Sequence, residues 1–206
     1  MKRILLSNLA FALLLASASL AVAQNKQPPI GVYGSDSPER GTTRVLYWDN
    51  TKNKAAGEFA IDYGRPVWKA AYEDAARFDS MTKGKTWRMG SNYWTTLDTE
   101  LPLTISGKTV PAGLWYLGLH RSDDGTKWSL VFIDPAKARS ARMDAAEINR
   151  APIEFDAPVN IESPGEMRDK LTIDLSYQQS NLNDVTLKIS WGKLQLTAPI
   201  KVQIGT

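Results

Sequence analysis

Apolar and polar side chains alternate along the last third of the chain. Leu171, Ile173, Leu175 and Tyr177 interleave with Thr172, Asp174, Ser176 and Gln178, the period of two expected of a strand with one buried face. Residues 180–184, Ser-Asn-Leu-Asn-Asp, read as a turn. Val185, Leu187, Ile189 and Trp191 then alternate with Thr186, Lys188 and Ser190, and Gly192-Lys193 reads as a two-residue hairpin. Beyond it Leu194, Leu196, Ala198, Ile200, Val202 and Ile204 form the apolar face of a final strand. Pro199 has no N–H to give to a ladder, which predicts a sheet edge or a bend there.

Upstream, residues 114–119 and 128–133 are nearly continuous apolar runs joined by Ser122-Asp123-Asp124-Gly125. They predict a central hairpin covered on both faces. Shorter strands fall at 44–48, 58–63 and 101–105. Two segments leave the pattern. Pro66 is followed at helical spacing by Trp68, Ala71, Tyr72, Ala75 and Phe78, a short helix on one end of the sheets. Residues 135–149, rich in Ala, Lys and Arg with Met143, Ala146 and Ile148 as anchors, predict a second, looser helix. The expected fold is all-β, an antiparallel β-sandwich or flattened barrel of about eight to ten strands with one or two short peripheral helices.

The start of the chain adds a location. Lys2 and Arg3 precede an apolar or small stretch, residues 4–21, and Ala21-Val22-Ala23 is a small-x-small site before Gln24. This is the pattern of a cleavable signal peptide, residues 1–23, and predicts a periplasmic or secreted bacterial protein. The competing reading is an anchoring helix, which needs about 20 apolar residues. No later segment is apolar for long enough to span a bilayer. Residues 24–43, with Pro28-Pro29, Gly31, Gly34, Ser37-Pro38 and Gly41, read as an extended arm, and 44–206 as a single β-rich domain.

Composition then removes chemistry. The chain has no cysteine, so disulfides, thiolate nucleophiles, thiolate metal sites and lipid attachment after the leader are all excluded. Of 25 basic and 22 acidic residues, Lys2 and Arg3 leave with the leader, taking the formal net charge from +3 to +1. The charges are interspersed, without the clustered basic face of a nucleic-acid binder. No cofactor signature is present, and no metal is expected.

His120 is the sole histidine. It stands in no HxH or HExxH spacing, and no G-x-S-x-G turn is present to offer it a serine, so a structural or rim position is expected. Asp123-Asp124-Gly125 fits a hairpin turn better than a calcium loop. Glu58, Asp62, Asp98, Asp156 and Asp174 are all candidates for paired-carboxylate hydrolysis, and the sequence singles out none.

The aromatic load points to binding. Among the seven tryptophans, Trp128 and Trp191 sit in alternating strands and are expected in the core; Trp87 and Trp94 flank a glycine-containing loop and stand open to either role. Residues 85–92 gather polar groups that orient ligands: the arginine fork of Arg88, and Asn92 with both donor and acceptor. Tyr63, Arg65, Trp87, Arg88 and Asn92 are therefore the candidate ligand-binding residues, expected to line one groove for a small anionic or sugar-like ligand. Arg65 and Arg88 side by side would need an anion between them, supplied by an internal carboxylate or by the ligand.

Several of these stretches resemble one family. Tyr63-Gly64-Arg65-Pro66, then Trp87-Arg88 with Gly90-Ser91-Asn92, Thr95-Thr96, Gly107-Lys108-Thr109-Val110-Pro111-Ala112-Gly113, residues 128–132, and residues 187–199 with Trp191 resemble the bacterial domain of unknown function 2911 (DUF2911). The resemblance covers most of residues 58–204. It implies an exported β-rich domain and brings no established activity. The expectation is a non-catalytic binding or accessory module. The alternatives are a hydrolase using carboxylates or His120, and a structural protein pairing through an exposed edge strand.

Overall fold

Twelve strands are present among the residues that the computed structural model describes, 31, 39–163 and 165–205. The leader and residues 24–30 and 32–38 of the arm lie outside them. The strands are β1 (Arg40–Asp49), β2 (Lys54–Gly64), β3 (Thr86–Trp87), β4 (Thr95–Thr99), β5 (Leu103–Ile105), β6 (Lys108–Val110), β7 (Gly113–Arg121), β8 (Trp128–Ile133), β9 (Phe155–Ile161), β10 (Arg168–Gln178), β11 (Asn181–Gly192) and β12 (Leu194–Val202). Two α-helices, α1 (Ala75–Thr82) and α2 (Pro135–Ser140), and two 3-10 turns, Ala70–Tyr72 and Ala145–Arg150, complete the elements. The first strand begins at Arg40 rather than Arg44, so the end of the expected arm is paired with β2.

The hydrogen-bonded order is β1-β2-β4-β7-β8-β9-β12-β11-β10, with every strand pair antiparallel. The path folds over at β9: residues 155–159 pair β8, and residues 160–161 pair β12. No strand pairing joins β1 to β10, so the structure is a sandwich and not a closed barrel. The alternating residues fill the space between its layers: Phe59, Ile61, Leu97, Leu117, Leu130 and Phe132 from one sheet meet Leu171, Ile173, Val185, Leu187, Ile189 and Leu196 from the other. Burial of such side chains, at about 1.5–3 kcal/mol each, holds the layers together. Tyr177, expected on the buried face of β10, emerges where that strand outruns the core and is exposed.

The central hairpin is covered on both faces, as its apolar runs predict. Leu117, Leu119, Leu130 and Phe132 face the inter-sheet core, while Tyr116 and Ile133 face a second cluster with Ala138, Ile148 and Ala151. Gly118 lets this cover come close: a Cβ there would lie 2.6 Å from Ile148 Cδ1. Each piece of the cover is capped at its start. Asp134 caps α2 through Ala136 N at 2.7 Å, and Asp144 with Glu147 forms a capping box on the following 3-10 turn.

Two expectations need correction. Pro199 is not at an edge, since β12 pairs β11 on one flank and β9 and β5 on the other. Its carbonyl accepts from Ser106 N at 2.9 Å on the β5 flank, so its missing N–H faces that same flank. There the neighbour of β12 changes from β9, beside Leu196 and Thr197, to β5, beside Ile200. The helix after Pro66 also starts later than its spacing suggests. Trp68 N donates to Asp169 O at 2.6 Å and Leu171 N to Pro66 O at 3.0 Å, so the backbone here bridges to β10. Only after the Ala70–Tyr72 turn does Asp74, accepting from Arg77 N at 2.7 Å, cap α1.

Candidate functional site

β3 is two residues long and runs beside β7, Trp87 opposite Leu119 and Thr86 opposite His120. Its backbone then turns away: Met89 takes φ +51 with a fully buried side chain, and its carbonyl accepts from Thr95 Oγ1 at 2.8 Å. This leaves Trp87 and Arg88 on a cleft of about 360 Å³ at one end of the sandwich. Its floor is Trp87, Leu119, Trp128 and Trp191; one wall is Tyr72, Phe78 and Met81, and the other Ala145, Ile148 and Asn149.

The floor is rigidly built. Trp87 and Trp191 stack with centroids 4.8 Å apart and planes 14° from parallel. Trp191 Nε1 donates to Pro66 O at 2.9 Å, and Trp68 meets Trp191 edge-on at 5.0 Å. The α1 wall is held by Arg121, which pairs with Asp79 at 2.7 Å and lies over the Phe78 and Trp128 rings. Asn149 Oδ1 accepts from Thr86 N at 2.7 Å, anchoring the opposite wall to β3.

The cleft takes two of the five predicted residues, Trp87 and Arg88. Arg88 is half-buried and makes no hydrogen bond or ion pair with the described residues. Arg65 is otherwise engaged: its guanidinium pairs with Glu39, and its Nε donates to Leu171 O at 3.2 Å. Lys170 pairs with the same Glu39, and that hydrogen bond is the first cause holding the carboxyl below the usual range. The anion beside Arg65 is thus an internal carboxylate. Tyr63 is 4% exposed; its hydroxyl accepts from Ile173 N at 2.9 Å, and burial pushes its pKa up. Asn92 is exposed at φ +64 in the loop before β4.

Trp191, expected in the core, is half-buried and lines the cleft; Trp128 serves both core and cleft. Trp94 stacks on Tyr116 at 4.6 Å in the outer cluster. Ile148, Asn149 and Trp191 reach the site from remote parts of the chain and Phe78 from the helix just before β3, and no local sequence signal marks them as neighbours of Trp87.

The candidate catalytic groups lie elsewhere. His120 Nδ1 is 3.2 Å from Thr86 Oγ1. Asp62 is held by Arg40 and Thr42, and Glu58 faces Arg44 at 3.6 Å. Asp98, Asp156 and Asp174 are exposed on separate strands. Asp124 closes its hairpin, accepting from the Ser122 hydroxyl at 2.5 Å and from Thr126 N at 3.0 Å. Among the described residues no three His, Cys, Asp or Glu side chains gather as metal ligands, and no helix is long and apolar enough to cross a membrane.

Fold and site together define an all-β sandwich with an aromatic cleft at one end. The chain belongs to the family described as Protein of unknown function (DUF2911), whose family model matches residues 42–200. No curated protein and no solved structure matches it.

Proposed function

We propose that this protein is a non-catalytic, exported binding or accessory module that holds a small organic ligand in the cleft between α1 and the Ala145–Arg150 turn. The observation that carries this reading is the stacked Trp87–Trp191 pair with Arg88 beside it, which makes no hydrogen bond or ion pair among the described residues. An apolar concave site with a few polar groups at its margin is the usual form of a small-molecule pocket. Ligands of two kinds suit the aromatic floor, a small anion with an apolar body or a sugar ring. Among the described residues the cleft lining contains no Asp, Glu, His, Ser or Cys, and its Thr82 and Thr86 hydroxyls and Lys85 amine are already held in hydrogen bonds, which favours holding over turnover. The interspersed surface charges speak against a nucleic-acid partner.

Two experiments test this. Expressed with its leader, the protein is expected outside the cytoplasm with Gln24 as its new terminus; an intact Met1 in a membrane fraction, read by mass spectrometry, overturns the export reading. Titrating the purified protein with small organic acids and sugars should shift tryptophan emission and raise Tm. A panel that moves neither quantity, in wild type and in Trp87→Ala alike, overturns the binding reading.

A further inference from the structure

We infer that the ligand of this cleft is an apolar carboxylic acid, its hydrophobic body against Trp87 and Trp191 and its carboxylate on Arg88. This rests on the binding reading above and narrows it to one chemical class.

The argument is an inventory of donors and acceptors. Among the described residues two cations line the cleft, Lys85 and Arg88, and no carboxylate does. Lys85 Nζ is satisfied in part by Ser80 O at 2.6 Å and has no acidic partner; Arg88 has no partner among the described residues. A half-buried guanidinium beside apolar rings, without a counter-ion, is an incomplete arrangement that an anion completes.

The acceptors run the other way. Asn149 Oδ1 already accepts from Thr86 N, so the wholly unengaged group this side chain brings to the cleft is its Nδ2 donor, with one further lone pair on Oδ1. Thr82 Oγ1 already donates to Phe78 O and accepts from Arg121, and Thr86 Oγ1 is engaged with His120. A sugar presents many hydroxyl protons that need acceptors, and leaving them unmet in an apolar cleft is costly. A carboxylate presents only acceptors. At about 360 Å³ the cleft lies near the lower end of small-molecule sites, which suits a single ring or short chain.

The test compares acids with their neutral isosteres on the purified protein by calorimetry and tryptophan emission. The probes are 3-phenylpropionate against 3-phenylpropan-1-ol, octanoate against octanol, and methyl glucoside. At least one acid is expected to bind about tenfold or more tightly than its alcohol, an advantage that shrinks as salt is raised. Arg88→Gln should remove the acid's advantage and leave the alcohol's affinity as it was, while Arg88→Lys retains part of it. Equal binding of acid and alcohol, unchanged in Arg88→Gln, overturns the anion assignment and leaves the binding reading in place; so does tighter binding of methyl glucoside. Silence from every probe in a folded protein overturns both.

Discussion

Trp68 lies directly across Gly192: an ideal Cβ on that glycine would fall 2.3 Å from indole Cδ2. Gly192 also takes φ +58 at the end of β11, where an L side chain is strained by about 1–2 kcal/mol. Gly192→Ala must therefore displace Trp68 and, through their edge-on contact, disturb Trp191. The expected outcome is a Tm lower by about 2–8 °C, with altered near-UV circular dichroism from the rings under the cleft. An unchanged Tm would show that the indole moves aside freely.

Tyr63 joins the layers through one hydroxyl, which accepts from the buried Ile173 N. Tyr63→Phe keeps the ring and leaves that N–H without its partner, a loss of about 1–3 kcal/mol. A Tm fall of about 2–12 °C is expected, together with faster amide exchange at Ile173. Exchange at wild-type rates would mean that the hydroxyl is dispensable.

Arg65 and Arg88 should separate cleanly on mutation. Arg65→Ala breaks the contact with Glu39 and the bond to Leu171 O, so it should lower Tm by a few degrees. Arg88→Ala removes no hydrogen bond or ion pair among the described residues, only packing of its half-buried stem, and should lower Tm by less than Arg65→Ala does. The reverse order of effects would make Arg88 the structural arginine.

Stability should fall at both ends of the pH scale. Asp124 is lowered to about 2, first by the Ser122 hydroxyl and then by Thr126; Asp79, Asp49 and Glu39 are lowered as well, by hydrogen bonds from their neighbours. A carboxyl more acidic in the folded state than in the unfolded chain contributes stability that is present above its unfolded pKa of about 4 and is lost as pH drops toward its folded value. Burial raises Tyr63 and Tyr47. Their contribution is present below the unfolded tyrosine pKa of about 10 and is lost as pH climbs above it. Tm measured across pH should therefore show a plateau with a decline on each side, and Asp124→Asn should make the acid limb shallower. An acid limb of the same slope in that variant would count against the Asp124 assignment.

The β architecture was legible wherever one face of a strand is buried, since burial writes a period of two into β10, β11 and β12. β9 carries a weaker mark, because Pro158 interrupts it and only Ala157 and Val159 are buried. At Pro199 the chemistry was legible and the placement was not: a missing donor fits an edge, and it fits equally the gap between two neighbours along one flank. The site divides in the same way. Residues 85–92 announced Trp87 and Arg88 through local composition. Tyr63 and Arg65 stand beside a proline break that reads as an exposed strand end, but the chain there bridges to β10 and draws both side chains into structural bonds. Trp191 looked like core because its strand alternates, and only the register of three distant segments brings it under Trp87.

The cleft's floor and walls have different loyalties. Leu119 and Trp128 belong to strands whose side chains also fill the core, whereas α1 contains no buried residue and hangs from Arg121 and a few ring contacts. Changes of length or composition in that wall would reshape the mouth of the site at small cost to the sandwich. The strands carry the stability and the wall carries the shape of the opening, so the two are free to vary separately.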